Sequence, residues 1–284
     1  MFDAFNIILM IIIMIITVYP FYYVVMCSLS EPSMLIGDKG LMLLPKSFSL
    51  KAYQLVLENP NIASGYRTTL FVVVVGTVIS VIMTSLGAFV LTRKQFALKK
   101  VMNYMILFTM YFSGGMIPMY MLVYKVLHLG NSLWALILPF CVSVYNLIIM
   151  RTNFQSLPDS LEEAAKIDGA NDFTIFLRIV MPLSKAVIAV MVLFYGVAYW
   201  NSWFNAMIYI RDRDKFPLQL ILREILLLNS SGDMLGGAND VEKFSLSEGI
   251  KYSSIIVATV PILFVYPFVQ KYFVSGVMVG AIKG

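Results

Sequence analysis

The residues best suited to bind a ligand form a dense cluster of aromatic and amide side chains late in the sequence, namely Tyr195, Tyr199, Trp200, Asn201, Trp203 and Asn205. On a helix, Tyr195 shares a face with Tyr199, and Asn201 shares one with Asn205. Aromatic rings beside amide groups suit uncharged, polyhydroxylated ligands, of which sugars are the obvious case. An interfacial aromatic belt is the alternative and accounts best for the tryptophans. The substrate-path candidates are therefore Tyr195, Tyr199, Asn201 and, in an earlier apolar stretch, Tyr145 and Asn146.

Covalent, metal or nucleotide chemistry finds little support in the residue types present. The chain has one histidine, His128, and its two cysteines, Cys27 and Cys141, lie in apolar stretches without C-x-x-C spacing. A Ser/Cys–His catalytic set and a metal site are improbable on these grounds. The phosphate-binding pattern G-x-x-x-x-G-K-[ST] is also missing from the sequence. We expect no catalytic residue, no metal and no cofactor bound by this chain.

The elements that position the candidates are membrane-spanning helices. Of the 284 residues, 60% are hydrophobic and 13% are charged, whereas a soluble domain carries about a quarter charged residues. A bilayer core about 30 Å thick needs about 20 apolar helical residues. Stretches of that length, free of Asp, Glu, Lys, Arg and His, predict spans at about 6–28, 68–92, 101–124, 130–150, 186–208 and 252–271. The prediction is an all-α, polytopic membrane protein with six transmembrane helices in a single domain, 1–284.

The loops give the orientation. Residues 93–100, RKQFALKK, carry four basic residues and no acid, so the positive-inside rule places this short loop in the cytoplasm. With six spans, both termini and 151–185 join it inside, while 31–67 and 211–251 face out. The expected location is a cytoplasmic (plasma) membrane, which the chain crosses several times.

The spans contain no ionisable residue near the midplane, where carriers driven by protons or sodium keep them. No internal repeat is visible either. The energy for any transport is therefore expected to come from outside the membrane.

Segment 151–185 predicts two short helices with a tight corner. Ser160 with Glu163 forms an S-x-x-E capping box, Gly169 can end the first helix, and Asn171 or Asp172 can cap the second. The second helix carries an apolar stripe, namely Phe173, Phe176, Leu177 and Val180. A stripe outside the bilayer either fits a partner's groove or packs on the protein's own spans, and the residues leave both open.

The same segment resembles the EAA loop of bacterial ABC importer permeases. The matching residues are Glu163-Ala164-Ala165, Asp168-Gly169-Ala170, Phe176, Ile179 and Met181-Pro182-Leu183. Met181 stands where leucine is usual, and Ala186 stands where a proline commonly follows. The rest of the chain is similar to the carbohydrate-uptake branch, that of the smaller membrane subunit of the maltose importer, and most closely to its complex-oligosaccharide subgroup. The similar segments are Tyr19-Pro20, Ser28-x-Ser30, residues 199–204, residues 216–219 and the C-terminal residues 280–284.

The resemblance implies a permease fold in which the EAA loop is a cytoplasmic coupling helix pair. It implies as partners a second, non-identical permease subunit, two ATPase subunits that hold ATP and Mg, and an extracytoplasmic sugar-binding protein, with no nucleic acid. The residues implied in ATPase coupling are Glu163, Ala164, Ala165, Asp168, Gly169, Ala170, Phe176 and Pro182. Gly169 would let the corner turn, and Phe176 would anchor the contact.

Two further segments acquire a role by the same resemblance. The outer loop would push into the sugar site of the binding protein through about 229–244, with Asn229, Ser230, Gly232, Gly236 and Gly237 at its centre. A passive linker is the alternative, because Gly and Ser are what linkers contain. The tail residues Lys283 and Gly284 would reach toward the ATPase interface.

The leading hypothesis is thus a sugar-transport subunit that is not itself an enzyme. One rival is an ABC permease for another solute class, against which the charge-free spans count if the solute is charged. The other is a membrane-embedded lipid-sugar enzyme, which needs Asp, Glu or His in or beside the spans.

Overall fold

The computed structural model describes the backbone of residues 2–35, 40–232 and 241–281, and the side chains of these residues outside 228–232, 241–244, 265–266 and 268–281. Over this part of the chain the structure is helical, and β pairing is limited to one antiparallel bridge between Ser30 and Phe48. The all-α prediction is confirmed. The α-helices in chain order are α1 (Phe2–Ser28), α2 (Lys51–Glu58), α3 (Pro60–Thr92), α4 (Lys99–Tyr111), α5 (Met116–Met121), α6 (Trp134–Ile137), α7 (Val144–Gln155), α8 (Asp159–Ile167), α9 (Asp172–Ile175), α10 (Met181–Leu183), α11 (Lys185–Trp200), α12 (Trp203–Tyr209), α13 (Leu218–Gly232) and α14 (Val241–Ala281).

Among the described residues, three helices are long and apolar enough to cross a bilayer, namely Phe2–Ser28, Pro60–Thr92 and the segment Ser245–Phe264 of α14. Phe2–Ser28 and Pro60–Thr92 end where the first and second predicted spans end, whereas Pro60–Thr92 and Ser245–Phe264 begin eight and seven residues before the predicted starts of the second and sixth spans. The physical reason is uninterrupted apolarity, because a helix satisfies its own backbone hydrogen bonds in lipid.

The other three predicted spans are not single straight helices in the described part of the chain, a detail that apolarity alone does not predict. Lys99–Tyr111 and Met116–Val126 meet at 114°, and Trp134–Phe140 and Val144–Gln155 meet at 50°. The first break contains Gly115, whose φ of +90° few other residues adopt. A third bend, of 83°, separates Asp172–Leu183 from Lys185–Trp200. Counting each bent pair as one span gives up to six spans.

The predicted outer loop 211–251 is largely helical. Helix α13 covers Leu218–Gly232, and α14 begins at Val241, well before the predicted span. The Gly/Ser-rich centre of this segment indicated a loop. It did not indicate the apolar helix that precedes it, which begins with the residues LQLILREILLL.

The chain divides into two compact units, which are described separately; the single permease domain therefore stays a prediction. Unit 1 comprises Met1–Tyr66 with Leu218–Leu263, and unit 2 comprises Arg67–Pro217 with Phe264–Gly284. In unit 1 the end of α1 is held by side-chain hydrogen bonds. The Tyr53 hydroxyl donates to Ser28 Oγ at 2.8 Å, and the Lys46 amide donates to Ser30 Oγ at 2.9 Å. These are the serines of the Ser28-x-Ser30 pattern.

Unit 2 is organised around a face of α3 that carries a small or β-branched residue at every fourth position. The members are Val72, Gly76, Ser80, Thr84 and Ala88, all of them buried. Such rows allow helix backbones to approach closely in a membrane. Helix α11 packs against this face, with Tyr199 over Gly76 and Tyr195 beside Thr84. The α3–α11 pair is therefore the framework on which the candidate substrate residues sit.

Candidate functional site

A cavity of about 660 Å³ lies in unit 2 among α6, α7, α11 and α12. Its volume is within the range of ligand-binding pockets, roughly 300–1,000 Å³. The lining residues are Leu136, Phe140, Ser143, Tyr145, Asn146, Leu193, Phe194, Tyr195, Val197, Ala198, Tyr199, Ser202 and Asn205. Every one of these described residues is uncharged. The cavity thus offers rings, hydroxyls and amides to an uncharged part of a ligand.

Four of the five substrate-path candidates line this cavity, and Asn201 does not. The Asn201 side chain is exposed and donates to the Val197 carbonyl at 2.9 Å, as part of the end of α11. Because Asn201 and Asn205 share a helical face only if the helix is continuous, the break at Asn201–Ser202 between α11 and α12 separates them. Asn205 is on the cavity side of that break.

The two tyrosines contribute rings to the cavity, while their hydroxyls bond within the protein. The Tyr195 hydroxyl lies 2.6 Å from Thr84 Oγ1 and accepts from the Ser143 amide at 3.0 Å. The Tyr199 hydroxyl lies 2.9 Å from Ser80 Oγ. Both residues are nearly fully buried, at 3% and 4% exposed. Their structural task is to join α11 to α3.

The remaining candidates differ in exposure. Tyr145 is 57% exposed and its ring lies 6.5 Å from that of Phe194, whereas Asn146 is buried. The sequence-based cluster missed Ser143, Phe194 and Ser202. Ser143 carried a usable signal, because its hydroxyl caps α7 by accepting from the Asn146 amide, as a serine before an apolar run does.

A hydrogen-bonded turn holds the end of α12, the helix that carries Asn205. Asn131 Oδ1 accepts from the Arg211 and Asp212 amides, both at 3.0 Å. Asn131 has φ of +59°. Lys215 and the Asn131 side chain hold the pKa of the Asp212 carboxyl below its ordinary value. Because the pKa of Asp212 is lower in the folded protein, its interactions stabilise the fold at pH values above the ordinary pKa near 4. This stabilisation is lost only as pH falls through the lowered pKa.

We expect Asn131→Gly to loosen this turn without straining the backbone, since glycine accepts the positive φ. Each lost hydrogen bond contributes about 0.5–1.5 kcal/mol. Hydrogen exchange at the Arg211 and Asp212 amides should then rise by about two- to tenfold. His128→Gly, at the other positive-φ position of the turn, is the matched control and should leave both amides as slow as in the parent chain; equal acceleration in both variants would contradict the assignment.

The helix pair predicted in 151–185 is present, and we call residues 159–183 the knob. Helix α8 ends in a Schellman motif, in which the Ala170 amide bonds to the Ala165 carbonyl and Gly169 has φ of +79°. Asn171 Oδ1 accepts from the Thr174 amide at 2.8 Å and caps α9. The glycine corner and the Asn171 cap are confirmed. The Ser160–Glu163 capping box is wrong, because α8 begins two residues earlier than that box requires, with Pro158 at its N-cap and no side-chain cap.

Part of the apolar stripe of the knob packs on this chain and part of it is exposed, so neither a partner's groove nor the protein's own spans covers the whole stripe. Phe176 and Val180 are buried against the protein itself, while Phe173 and Leu177 are 63% and 48% exposed. Phe89 at the end of α3 covers part of the stripe, because its ring lies 5.1 Å from the Phe176 ring. Phe176 is therefore not on the outward surface of the knob, and its implied role in ATPase coupling stays a prediction.

The other implied coupling residues lie at the surface. Glu163, Ala164, Asp168, Gly169 and Pro182 are exposed, and Ala165 and Ala170 are partly exposed. Ile167, which the motif leaves unspecified, is 87% exposed. The outward surface of the knob thus combines the motif residues with large apolar side chains.

Charged residues join the knob to the loop that follows α3. Arg93 donates to both carboxylate oxygens of Glu162, at 2.6 and 2.5 Å. Lys94 Nζ lies 2.7 Å from Asp159 Oδ2. The Lys94–Asp159 bond raises the pKa of the lysine and lowers that of the carboxyl. No sequence pattern indicated the Arg93–Glu162 pair, because its members are 69 positions apart.

Several predicted site residues lie outside the described side chains. Gly236, Gly237, Lys283 and Gly284 lie outside the described residues, and Asn229, Ser230 and Gly232 are described only as backbone of α13. Within the described part of the chain, no group of three or more His, Cys, Asp or Glu residues is arranged to hold a metal ion. The absence of a bound metal or cofactor stays a prediction.

Similar proteins agree on the class. No protein-family model matches the sequence. The chain is 42% identical over 273 residues to the polygalacturonan/rhamnogalacturonan transport system permease protein YtcP of Bacillus subtilis, covering 95% of this chain and 93% of YtcP. It is 41% identical to protein LplC of Bacillus subtilis, covering 95% and 90%. A chain in the crystal structure of a bacterial ABC transporter involved in the import of the acidic polysaccharide alginate superposes with a TM-score of 0.86 at 31% identity, covering 96% of each chain.

The chain belongs to the carbohydrate-uptake family of ABC importer permeases. It is therefore a multi-pass membrane protein and a transport component of a multi-component system, in which a separate ATPase hydrolyses ATP. Membership removes the lipid-sugar enzyme from the alternatives.

Proposed function

We propose that this chain forms half of the translocation pore of an oligosaccharide importer and couples it to ATP hydrolysis through the knob. The observation that carries the proposal is the uncharged cavity lined by Tyr145, Asn146 and Asn205. A sugar presents hydroxyl groups and apolar ring faces, and amides beside aromatic rings complement both. An ATPase partner is proposed to dock on the outward surface of the knob.

The substrate class follows from the cavity and the relatives together. YtcP is named for polygalacturonan and rhamnogalacturonan, and the alginate transporter for an acidic polysaccharide. We infer an oligosaccharide derived from a polysaccharide as the substrate. Because the described lining residues of this chain's cavity are neutral, the carboxylates of an acidic sugar would be recognised by another component, such as the second permease subunit.

The proposed orientation keeps both termini in the cytoplasm. In support, the basic loop 93–100 contacts the knob through Arg93 and Lys94, as expected if both lie on one side of the membrane. The segment 229–244 is proposed to reach the sugar site of a binding protein. Deleting 230–237 should reduce sugar release and transport, whereas unaltered transport would leave the passive linker.

Purification of the tagged chain from native membranes in mild detergent tests the class of partner. The expected result is recovery of a second permease and an ATPase, with a sugar-binding protein when substrate is supplied. Recovery of the chain alone or as a homo-oligomer would remove the proposal.

The cavity predicts a matched pair of transport variants. Asn205→Ala should reduce oligosaccharide uptake by the reconstituted complex about tenfold, because one lost hydrogen bond to substrate changes binding by about 0.5–1.5 kcal/mol and leaves a polar substrate group unpaired. Asn201→Ala, outside the cavity, is the control and should transport at the parental rate. Uptake of radiolabelled sugar into proteoliposomes gives both numbers; equal rates for the two variants would exclude this cavity from the path.

A further inference from the structure

One side chain, that of Arg93, contacts both helices of the knob from the end of α3. Its two terminal nitrogens bind the Glu162 carboxylate of α8 in a bidentate pair. The same guanidinium lies 4.0 Å from Asp172 at the start of α9. Bidentate pairs fix orientation as well as distance. Arg93 therefore sets the angle between the knob and α3.

The surroundings of Arg93 make this joint stiff. Its guanidinium lies 4.1 Å from the centre of the Phe89 ring, and the Phe89 ring lies 5.1 Å from that of Phe176. The Arg93 and Glu162 side chains are 16% and 24% exposed, whereas those of Lys94 and Asp159 are 79% and 68% exposed. Partial burial strengthens the first pair relative to the second, which water and salt screen.

The joint leads directly to the cavity along α3. Thr84, five residues before Phe89 and about 7.5 Å away along the helix axis, bonds to the Tyr195 hydroxyl. Ser80, one turn further, bonds to the Tyr199 hydroxyl. Both tyrosine rings line the cavity. A movement of the knob that α3 follows rigidly therefore reaches two walls of the cavity.

We propose that Arg93 is the positioning residue that transmits movement of the knob to the cavity through α3. The inference rests on the proposed function, in which an ATPase moves the knob. Phe176 takes part as the internal packing partner of Phe89. The exposed motif residues meet the ATPase, and Arg93 carries their displacement inward.

The first test compares two ion pairs that join the same loop to the same knob. Arg93→Gln and Glu162→Gln break the partly buried pair, and Lys94→Gln and Asp159→Asn break the exposed pair. In the full reconstituted complex we expect the first two variants to lose about fivefold or more of transport, the low end of measured coupling effects. They should retain basal ATPase activity but lose its stimulation by sugar-loaded binding protein. The exposed-pair variants should match the parent in all three readouts.

The second test measures stiffness directly, and it does not depend on transport. Spin labels at positions 97 and 166, introduced as Ala97→Cys and Lys166→Cys in a Cys27→Ser/Cys141→Ser background, report the distance between the loop and the knob. We expect one narrow distance distribution with and without ATP in the complex. Arg93→Gln should broaden it. If Arg93→Gln does not assemble, Glu162→Gln, which keeps one uncharged acceptor, serves in its place.

The outcomes separate the inference from the proposed function. Failure of the unmodified chain to co-purify with an ATPase removes the proposed function. An assembled complex in which Arg93→Gln keeps stimulated ATPase activity, or in which the parental distance itself shifts with ATP, overturns the role of Arg93 alone. Loss of coupling with a broadened distance supports it.

Discussion

Replacing Ile167 by lysine should strongly weaken association with the ATPase while leaving the permease folded. Ile167 is 87% exposed at the end of α8, so the fold loses almost no packing, and a basic residue suits a helix C-terminus. A charge placed within an apolar contact loses its water and finds no partner of opposite charge. We expect association to weaken about 30-fold, which corresponds to about 2 kcal/mol, measured as ATPase recovered per permease in a salt-matched pull-down.

Leu98→Lys is the matched control for this prediction. Leu98 is 59% exposed in the loop 93–100 and lies outside the knob, so the same change of charge occurs on the same side of the proposed topology. It should recover as much ATPase as the parent. If both variants recover the parental amount, the ATPase docks somewhere other than on this end of the knob.

Gly76→Ala should destabilise unit 2 more than any other single methyl addition on the α3–α11 contact. A Cβ at Gly76 would meet the Tyr199 ring at 2.8 Å, and that ring is held in place by the Ser80 hydrogen bond and by burial. Overpacking of this kind amounts to about 1–3 kcal/mol. Thermal inactivation of the purified complex should move down by about 2–4 °C for each kcal/mol, and transport should fall because Tyr199 lines the cavity.

Gly196→Ala provides the comparison for Gly76→Ala. It lies on the other helix of the same contact, and its added Cβ would meet only Thr77 Oγ1, at 3.8 Å, an ordinary contact distance. This variant should inactivate at the parental temperature or slightly above it, since alanine favours helix over glycine. If Tyr199→Leu restores the thermal stability of Gly76→Ala, the loss of stability is due to the Tyr199 ring. Equal stability of the Gly76→Ala and Gly196→Ala variants would contradict the close packing at Gly76.

Helix existence was predictable because it depends on composition alone. Each long charge-free stretch became helical, as lipid requires. The breaks were less predictable. Gly115, with its positive φ, stands in a Ser-Gly-Gly sequence that signalled the first break. No such sequence indicated the break at Asn201–Ser202. Because the helix is interrupted there, Asn201 and Asn205 do not share the face that we predicted.

The knob shows the same division. Its glycine corner and the Asn171 cap follow from local hydrogen-bonding rules, which act within a few residues. The residues alone left open whether Phe176 faces a partner protein or the same chain, and the structure places its ring against Phe89 at the end of α3. A stripe of apolar residues predicts that it is buried against another surface. It does not tell whether that surface belongs to the same chain or to a partner protein.

The sequence by itself determined the helical class, the apolar segments, the corner of the knob and the family, because each depends on residue type, local spacing or an ordered motif. Only the tertiary structure decided that the Tyr195 and Tyr199 hydroxyls bond to α3, that Asn205 replaces Asn201 at the cavity, and that Arg93 holds Glu162. These contacts join residues from 69 to 119 positions apart or depend on a helix break. Their geometry arises when helices pack against one another, and it cannot be predicted from the spacing of residues along a single helix.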